Sequence, residues 1–220
     1  MRRLAIVAAL VGVAMSAVPT PAAAQPPASP GAFEVALGAS WMNRSPLTSG
    51  AANLTTPSGG AFPLFTTSST LSAATAVEIQ VGYHVGQRLE VLGAASAGRR
   101  QLRISASNDA ENAEPVTATE RIQQFTFTGG VLWALTESRV APFLSAEAGQ
   151  LRQLHEEKTL VESGIAYMAG GGVNIQLTDP DADLGFGIRV HGRAVVRSKQ
   201  FLLNTERVSP AVNVSLFVRF

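Results

Sequence analysis

Apolar and polar residues alternate along most of this chain with a period of two. Near the carboxyl terminus, Val212, Val214, Leu216, Val218 and Phe220 share one parity, and Ala211, Asn213, Ser215, Phe217 and Arg219 share the other. Such alternation puts the two sets on opposite faces of a β-strand. Phe33, Val35, Leu37, Ala39 and Trp41 oppose Glu34, Ala36, Gly38 and Ser40 in the same way. Val77, Ile79, Val81 and Tyr83 oppose Glu78, Gln80 and Gly82, and Phe125, Phe127, Val131 and Trp133 oppose Gln124, Thr126 and Thr128. Further on, Ile165, Tyr167, Val173 and Ile175 oppose Gly164, Gly170, Gly172, Asn174 and Gln176. Leu184, Phe186, Ile188, Val190 and Ala194 oppose Gly185, Gly187, Arg189, His191 and Arg193. Leu89/Val91 and Leu144/Ala146/Ala148 set a parity that weakens toward the ends of their segments. The pattern predicts eight strands, at 32–42, 73–83, 88–104, 119–134, 141–155, 163–177, 184–198 and 207–220. Each reaches the roughly 9–11 residues that a tilted strand needs to cross a bilayer.

The predicted connections mostly alternate between long and short. The segment from Asn43 to Ser72 is long and rich in Ser, Thr, Gly and Pro, whereas His84-Val85-Gly86-Gln87 is tight. A polar run from Ser105 to Ala118 is followed by a short turn at Leu135 to Val140. Glu156 to Glu162, the turn Thr178-Asp179-Pro180-Asp181-Ala182-Asp183 and Lys199 to Glu206 complete the series. Short turns at one end and long loops at the other suit an up-and-down barrel, and an even strand count brings both termini to the turn end.

The amino terminus refines the picture. Arg2 and Arg3 precede an apolar run from Leu4 to Val18, then Pro19, Pro21 and Ala22-Ala23-Ala24. This order reads as a cleavable export signal over 1–24, followed by a short flexible lead over 25–31 and a single barrel domain over 32–220. Absence of cysteine excludes disulfides, thiolate metal sites and a lipid-anchored cysteine. Removing Arg2 and Arg3 from the 17 basic residues leaves 15 against 16 acidic ones, a charge near −1. That balance gives no electrostatic basis for binding nucleic acid. No apolar run in the mature chain is long enough for a transmembrane helix.

Parity alone does not say which face is inside, because a soluble sandwich or lipocalin shows the same alternation with its apolar face enclosed. A soluble periplasmic carrier of an apolar ligand is therefore one reading. Aromatic placement and the last residue favour another. Tyr83, Trp133 and Phe220 end even-numbered strands and Trp41 ends the first, as in the interfacial aromatic girdles of membrane barrels. The chain resembles the eight-stranded OmpA/OmpX-type outer-membrane β-barrel family. The resemblance is carried by Val81-Gly82-Tyr83, Arg88-Leu89-Glu90-Val91, Gly170-Gly171-Gly172-Val173 and the terminal Val-Ser-Leu-Phe-Val-Arg-Phe. It implies an all-β, eight-stranded antiparallel up-and-down transmembrane barrel in the outer membrane of a two-membrane bacterium. It also implies outer-membrane lipid, periplasmic chaperones and the barrel-assembly machinery as partners, with Phe220 as the assembly signal. The peptidoglycan-binding domain of longer members is not expected after Phe220.

With the apolar face toward lipid, Glu34, Glu78, Glu90 and Glu147 point into the barrel, as do Arg189, His191, Arg193 and Arg219. Charges in so narrow a lumen must pair, which predicts a Glu/Arg network that plugs it. The alternative use of such charges is a small pore or proton path. No cofactor and no metal are expected: His84 falls in a turn at one end and His155 at a loop edge at the other, so they cannot share an ion. Some outer-membrane barrels are lipid A-modifying hydrolases with a lipid-facing His and Ser close together on one strand. His191, followed by Gly192-Arg193-Ala194, faces inward and does not meet that pattern, so no catalytic residue is expected. The Asn43–Ser72 segment carries Leu47, Leu54, Phe62, Leu64 and Phe65, which suit either a variable exposed loop or the binding of a surface partner.

Overall fold

The computed structural model describes residues 30–55, 59–108, 114–155, 161–178, 184–198 and 208–220. The export signal over 1–24 lies outside them, as does all of the lead except Pro30 and Gly31. So do most of the connections over 156–162, 178–183 and 199–206.

Among the described residues the strands are β1 (Phe33–Met42), β2 (Ser45–Thr55), β3 (Ala61–Leu71), β4 (Ala74–His84) and β5 (Leu89–Ser107). They continue with β6 (Val116–Ala134), β7 (Val140–His155), β8 (Val161–Gln176), β9 (Gly185–Arg197) and β10 (Val208–Arg219). Eight of these close a barrel. β1 pairs with β10 on one side and β4 on the other, β4 pairs with β5, and the β5–β6 ladder completes the ring through β7, β8 and β9. Every pairing is antiparallel. The end where β1 begins and the short turns lie is the turn end, and the opposite end is the loop end.

The registers align apolar residues across strands. Leu37 stands opposite both Leu216 and Ile79, and Val131 stands opposite Val91 and Ala146. These rows face outward: Leu216 is 65% exposed and Val77 62%. The inward rows hold Glu34 at 1% and Arg189 at 0%. The barrel is therefore apolar outside and polar inside, the reverse of a lipocalin carrier, and the enclosed-ligand reading is overturned. Exposed Tyr83, Trp133 and Phe220 ring the turn end, where Phe33 and Tyr83 have centroids 5.0 Å apart, and Trp41 sits at the loop end. The Phe220 N–H donates to the Phe33 carbonyl at 2.8 Å, fastening the last residue beside the first strand.

Inward glycines let neighbouring strands come close. A Cβ on Gly170 would collide with the Gly192 carbonyl oxygen, and one on Gly172 with that of Val190. This part of β8 tolerates no side chain on its lumenal face.

One expectation fails. The Asn43–Ser72 segment is not an irregular loop but a hairpin, β2 paired with β3. Thr66 to Leu71 of β3 pair with Ser107 to Leu102 of β5, while β4 pairs with Glu90 to Gly98 below. β5 thus has β4 as its neighbour along its lower half and β3 along its upper half. Nothing about the hairpin needs an apolar face if it stands clear of the bilayer, so its Thr-rich strands lack the alternation that marks the others. Pro46 lies on β2, the sheet's edge strand, and Pro63 adjoins a register shift on β3, both places where a missing N–H is tolerated. β5 and β6 are 19 residues each, so the polar run over 105–118 is partly strand as well.

Candidate functional site: the charged lumen

Arg189 is the centre of the lumen, and alternation on β9 points it straight inward. Its Nη2 donates to Glu34 Oε1 at 2.6 Å and Glu90 Oε2 at 3.0 Å. Nη1 donates to Gln80 Oε1 at 3.0 Å and Nε to Asn174 Oδ1 at 2.8 Å. The guanidinium carbon lies 5.7 Å from the ring centroids of both Phe143 and Phe217, so the cation is held between two aromatic rings as well. Below it, Arg219 Nη2 donates to Glu34 Oε2 at 2.8 Å and Nη1 to Gln176 Oε1 at 3.3 Å.

Four residues further along β9, on the same face, Arg193 Nη2 donates to Glu78 Oε2 at 2.6 Å. Gln80 Nε2 donates to Glu78 Oε1 at 2.6 Å and joins the two levels. Glu147 Oε1 lies 3.5 Å from Arg193 Nη1, an ion-pair distance without hydrogen-bond geometry, and Thr128 Oγ1 donates to Glu147 Oε2 at 2.8 Å. All eight barrel strands contribute a group to this connected set: Glu34, Glu78, Glu90, Thr128, Glu147, Asn174, Arg189 and Arg219 stand on eight different strands, and β4 adds Gln80 as well. A polar network that reaches all eight strands favours one registration of the barrel.

Toward the loop end the lumen changes character. Leu151, Ala166, Met168, Val195 and Ala211 form an apolar layer, with Met42 packed against it. Past that layer Arg197 Nη2 and Arg100 Nη1 each lie 3.3 Å from Met42 Sδ. Arg100 also donates to the carbonyls of Ser72 and Asn43 at 3.0 and 2.8 Å, which pins the base of the β2–β3 hairpin to the barrel.

The structure brings together seven of the eight lumenal residues expected from parity, and the eighth, His191, hydrogen-bonds to Ser145 Oγ through Nε2 at 2.7 Å. This Ser–His pair escapes sequence reasoning because its members lie on β7 and β9. Both are buried, and the ring stacks edge-on against Phe143 at 5.1 Å. No carboxylate among the described residues orients the imidazole, so the pair lacks the third member of a nucleophilic triad. His84 is also misplaced by sequence reasoning: it ends β4 rather than lying in the turn, and is only 6% exposed. Its Nε2 lies 3.6 Å from Glu34 Oε2. Donor atoms of Glu34, His84 and Glu90 lie within 4.8 Å of one another, a set of the right type for a divalent cation. Arg189 and Arg219 already occupy both Glu34 oxygens and one of Glu90, however, so an incoming cation meets two fixed positive charges. His155 ends β7 at the loop end, its Nδ1 2.6 Å from Glu120 Oε1, far along the barrel from His84. Gln80, Asn174 and Gln176 were legible as inward by parity, but their hydrogen-bonding roles were not.

No family model matches this chain, and no curated protein sequence does. Solved structures do. The outer membrane protein OprG of Pseudomonas aeruginosa aligns over 86% of this chain and 96% of its own, at 11% identity and a TM-score of 0.53. Neisserial surface protein A aligns over 86% and 97%, at 14% identity and a TM-score of 0.50. The fold is that of the eight-stranded outer-membrane β-barrels. Within this fold the exposed apolar belt and the aromatic rims have a direct physical meaning, since a closed barrel satisfies every backbone group and can meet lipid with its side chains.

Proposed function

We propose that this chain is an outer-membrane barrel with a structural or surface-interaction role and a closed lumen, and that it is not an enzyme. The observation carrying this reading is the stack inside the barrel: two cross-linked ionic levels and, above them, an apolar layer. An ion entering from the turn end meets paired charges and then the apolar layer, and one entering from the loop end meets Arg100 and Arg197 and then the same layer. The turn-end mouth, lined by His84, Glu90 and Arg219, has a cavity of only about 60 Å³. At the loop end the hairpin exposes Leu54, Phe62 and Phe65, large apolar groups that suit contact with a surface partner.

Two measurements test the reading together. Membrane fractionation with electrophoresis of boiled and unboiled samples is expected to place the chain in the outer membrane with a heat-dependent mobility shift. Recovery in the soluble periplasm with no shift overturns it. Planar-bilayer recordings of the refolded barrel are expected to show no stable unitary conductance, and discrete channels of uniform size would refute the closed lumen.

A further inference from the structure

The outward row of β5 runs Leu89, Val91, Gly93, Ala95, Ala97 and then changes abruptly to Arg99, Gln101 and Arg103. The neighbouring strands change at the same end. On β6 the row passes from Phe127 and Phe125 to Gln123 and Arg121, and on β7 from Ala148 and Gln150 to Arg152. Arg121 stands opposite Gln101, so it is the diagonal neighbour of both Arg99 and Arg103, roughly 7–8 Å from each between Cα atoms. Arg152 stands opposite Phe125, at the upper limit of the apolar rows. All four arginines are exposed. Beside them is an open depression of about 540 Å³ whose lining includes Trp41, Thr75, Arg99, Arg100, Gln101 and Arg121.

We propose that this wall binds the phosphate of an anionic lipid headgroup in the leaflet at the loop end. The assignment rests on the outer-membrane reading above. Guanidinium groups are suited to phosphate because their planar donor forks match its oxygens two at a time. A lipid-borne phosphate is favoured over a soluble one because the arginines prolong the lipid-facing rows without a break. Trp41, amphipathic and half-exposed in the same depression, sits where headgroup and chain meet.

The test uses the full barrel refolded into phosphatidylcholine vesicles, alone or with a minority of phosphatidic acid. Lipid retained on the barrel is read by native mass spectrometry, and barrel integrity by the heat-dependent mobility shift. Wild-type protein is expected to retain phosphatidic acid in preference to phosphatidylcholine. Arg99→Gln, Arg121→Gln and Arg152→Gln are each expected to weaken the preference roughly fivefold, from the attraction of one basic residue to an anionic leaflet. Arg88→Gln, exposed at the turn end and paired with Glu137, is expected to leave it unchanged. A triple variant that keeps both its mobility shift and the preference overturns the proposal. So does displacement of the lipid by inorganic phosphate in solution, which would make the wall a site for free anions. Loss of the shift in wild type itself would instead overturn the barrel reading, so the two failures are distinguishable.

Discussion

Arg189→Met is expected to leave little or no heat-modifiable barrel after refolding. The substitution keeps length and apolar stem but removes the one cation that Glu34 and Glu90 share. Both carboxylates are buried, and Glu90 has no other hydrogen-bonded cation among the described residues. Removing one partner of a buried ion pair costs about 3–5 kcal/mol, because the abandoned charge stays desolvated. Gln80 and Asn174 lose their donor as well, so the upper end of that range applies. Against a typical total of about 5–15 kcal/mol, the loss is decisive. Glu34→Gln together with Glu90→Gln in the Met background is expected to restore much of the stability, since neutral amides carry no comparable burial penalty. Arg189→Lys is expected to fall between, its single ammonium being unable to span four acceptors. Urea titrations of the refolded variants order these outcomes. Equal midpoints for Arg189→Met and wild type would show that the network does not hold the barrel.

Val214→Arg is expected to cost about 2–4 kcal/mol in lipid bilayers, the range for a guanidinium on the lipid face near the midplane. Val214 lies midway along β10, between Ala39 and Val190 on the flanking strands, and is half-exposed. If that face met water, the same change would fall within about 0.5 kcal/mol, as exposed substitutions do. The measurement therefore reads out the solvent of the outer wall directly. Refolding yield and urea midpoint in vesicles are the observables, and a neutral result would remove the lipid from the interpretation.

The barrel strands were legible because alternation is strongest where the two faces meet opposite environments. β10 and β9 show this best: each lipid-facing Val is followed by a lumenal Ser, Asn, Arg or His. The β2–β3 hairpin was illegible for the converse reason. Its residues meet no such contrast, and Pro46 and Pro63 argue locally against strand. His84 was lost to a boundary error of one residue, enough to move a buried imidazole into a supposed turn. Arg100 and Arg197 follow the parity of their strands, but nothing in spacing announces that both reach Met42. Pairing of Ser145 with His191 depends on how strands two apart in the ring face each other across the lumen, which the period along a single strand does not encode. The arginine wall on β5 to β7 was present as letters and became visible only when the registers placed Arg121 between Arg99 and Arg103.

Because β3 takes over from β4 as the partner of β5, the passage through Ser72 and Ala73 works as a splice in the wall. The Ser72 N–H donates to the Gln101 carbonyl at 2.8 Å, and Ser72 Oγ accepts from the Gln101 N–H at 2.9 Å, so neither side of the splice can slide. For anyone displaying an epitope on this scaffold, the hairpin is not one uniform accepting loop. Extra residues beside Gly59, which takes a positive φ of 83° and has open space around its α-carbon, lengthen a tip. The same residues added at Leu71 to Ala73 would push β3 and β4 out of step with a strand that both must share.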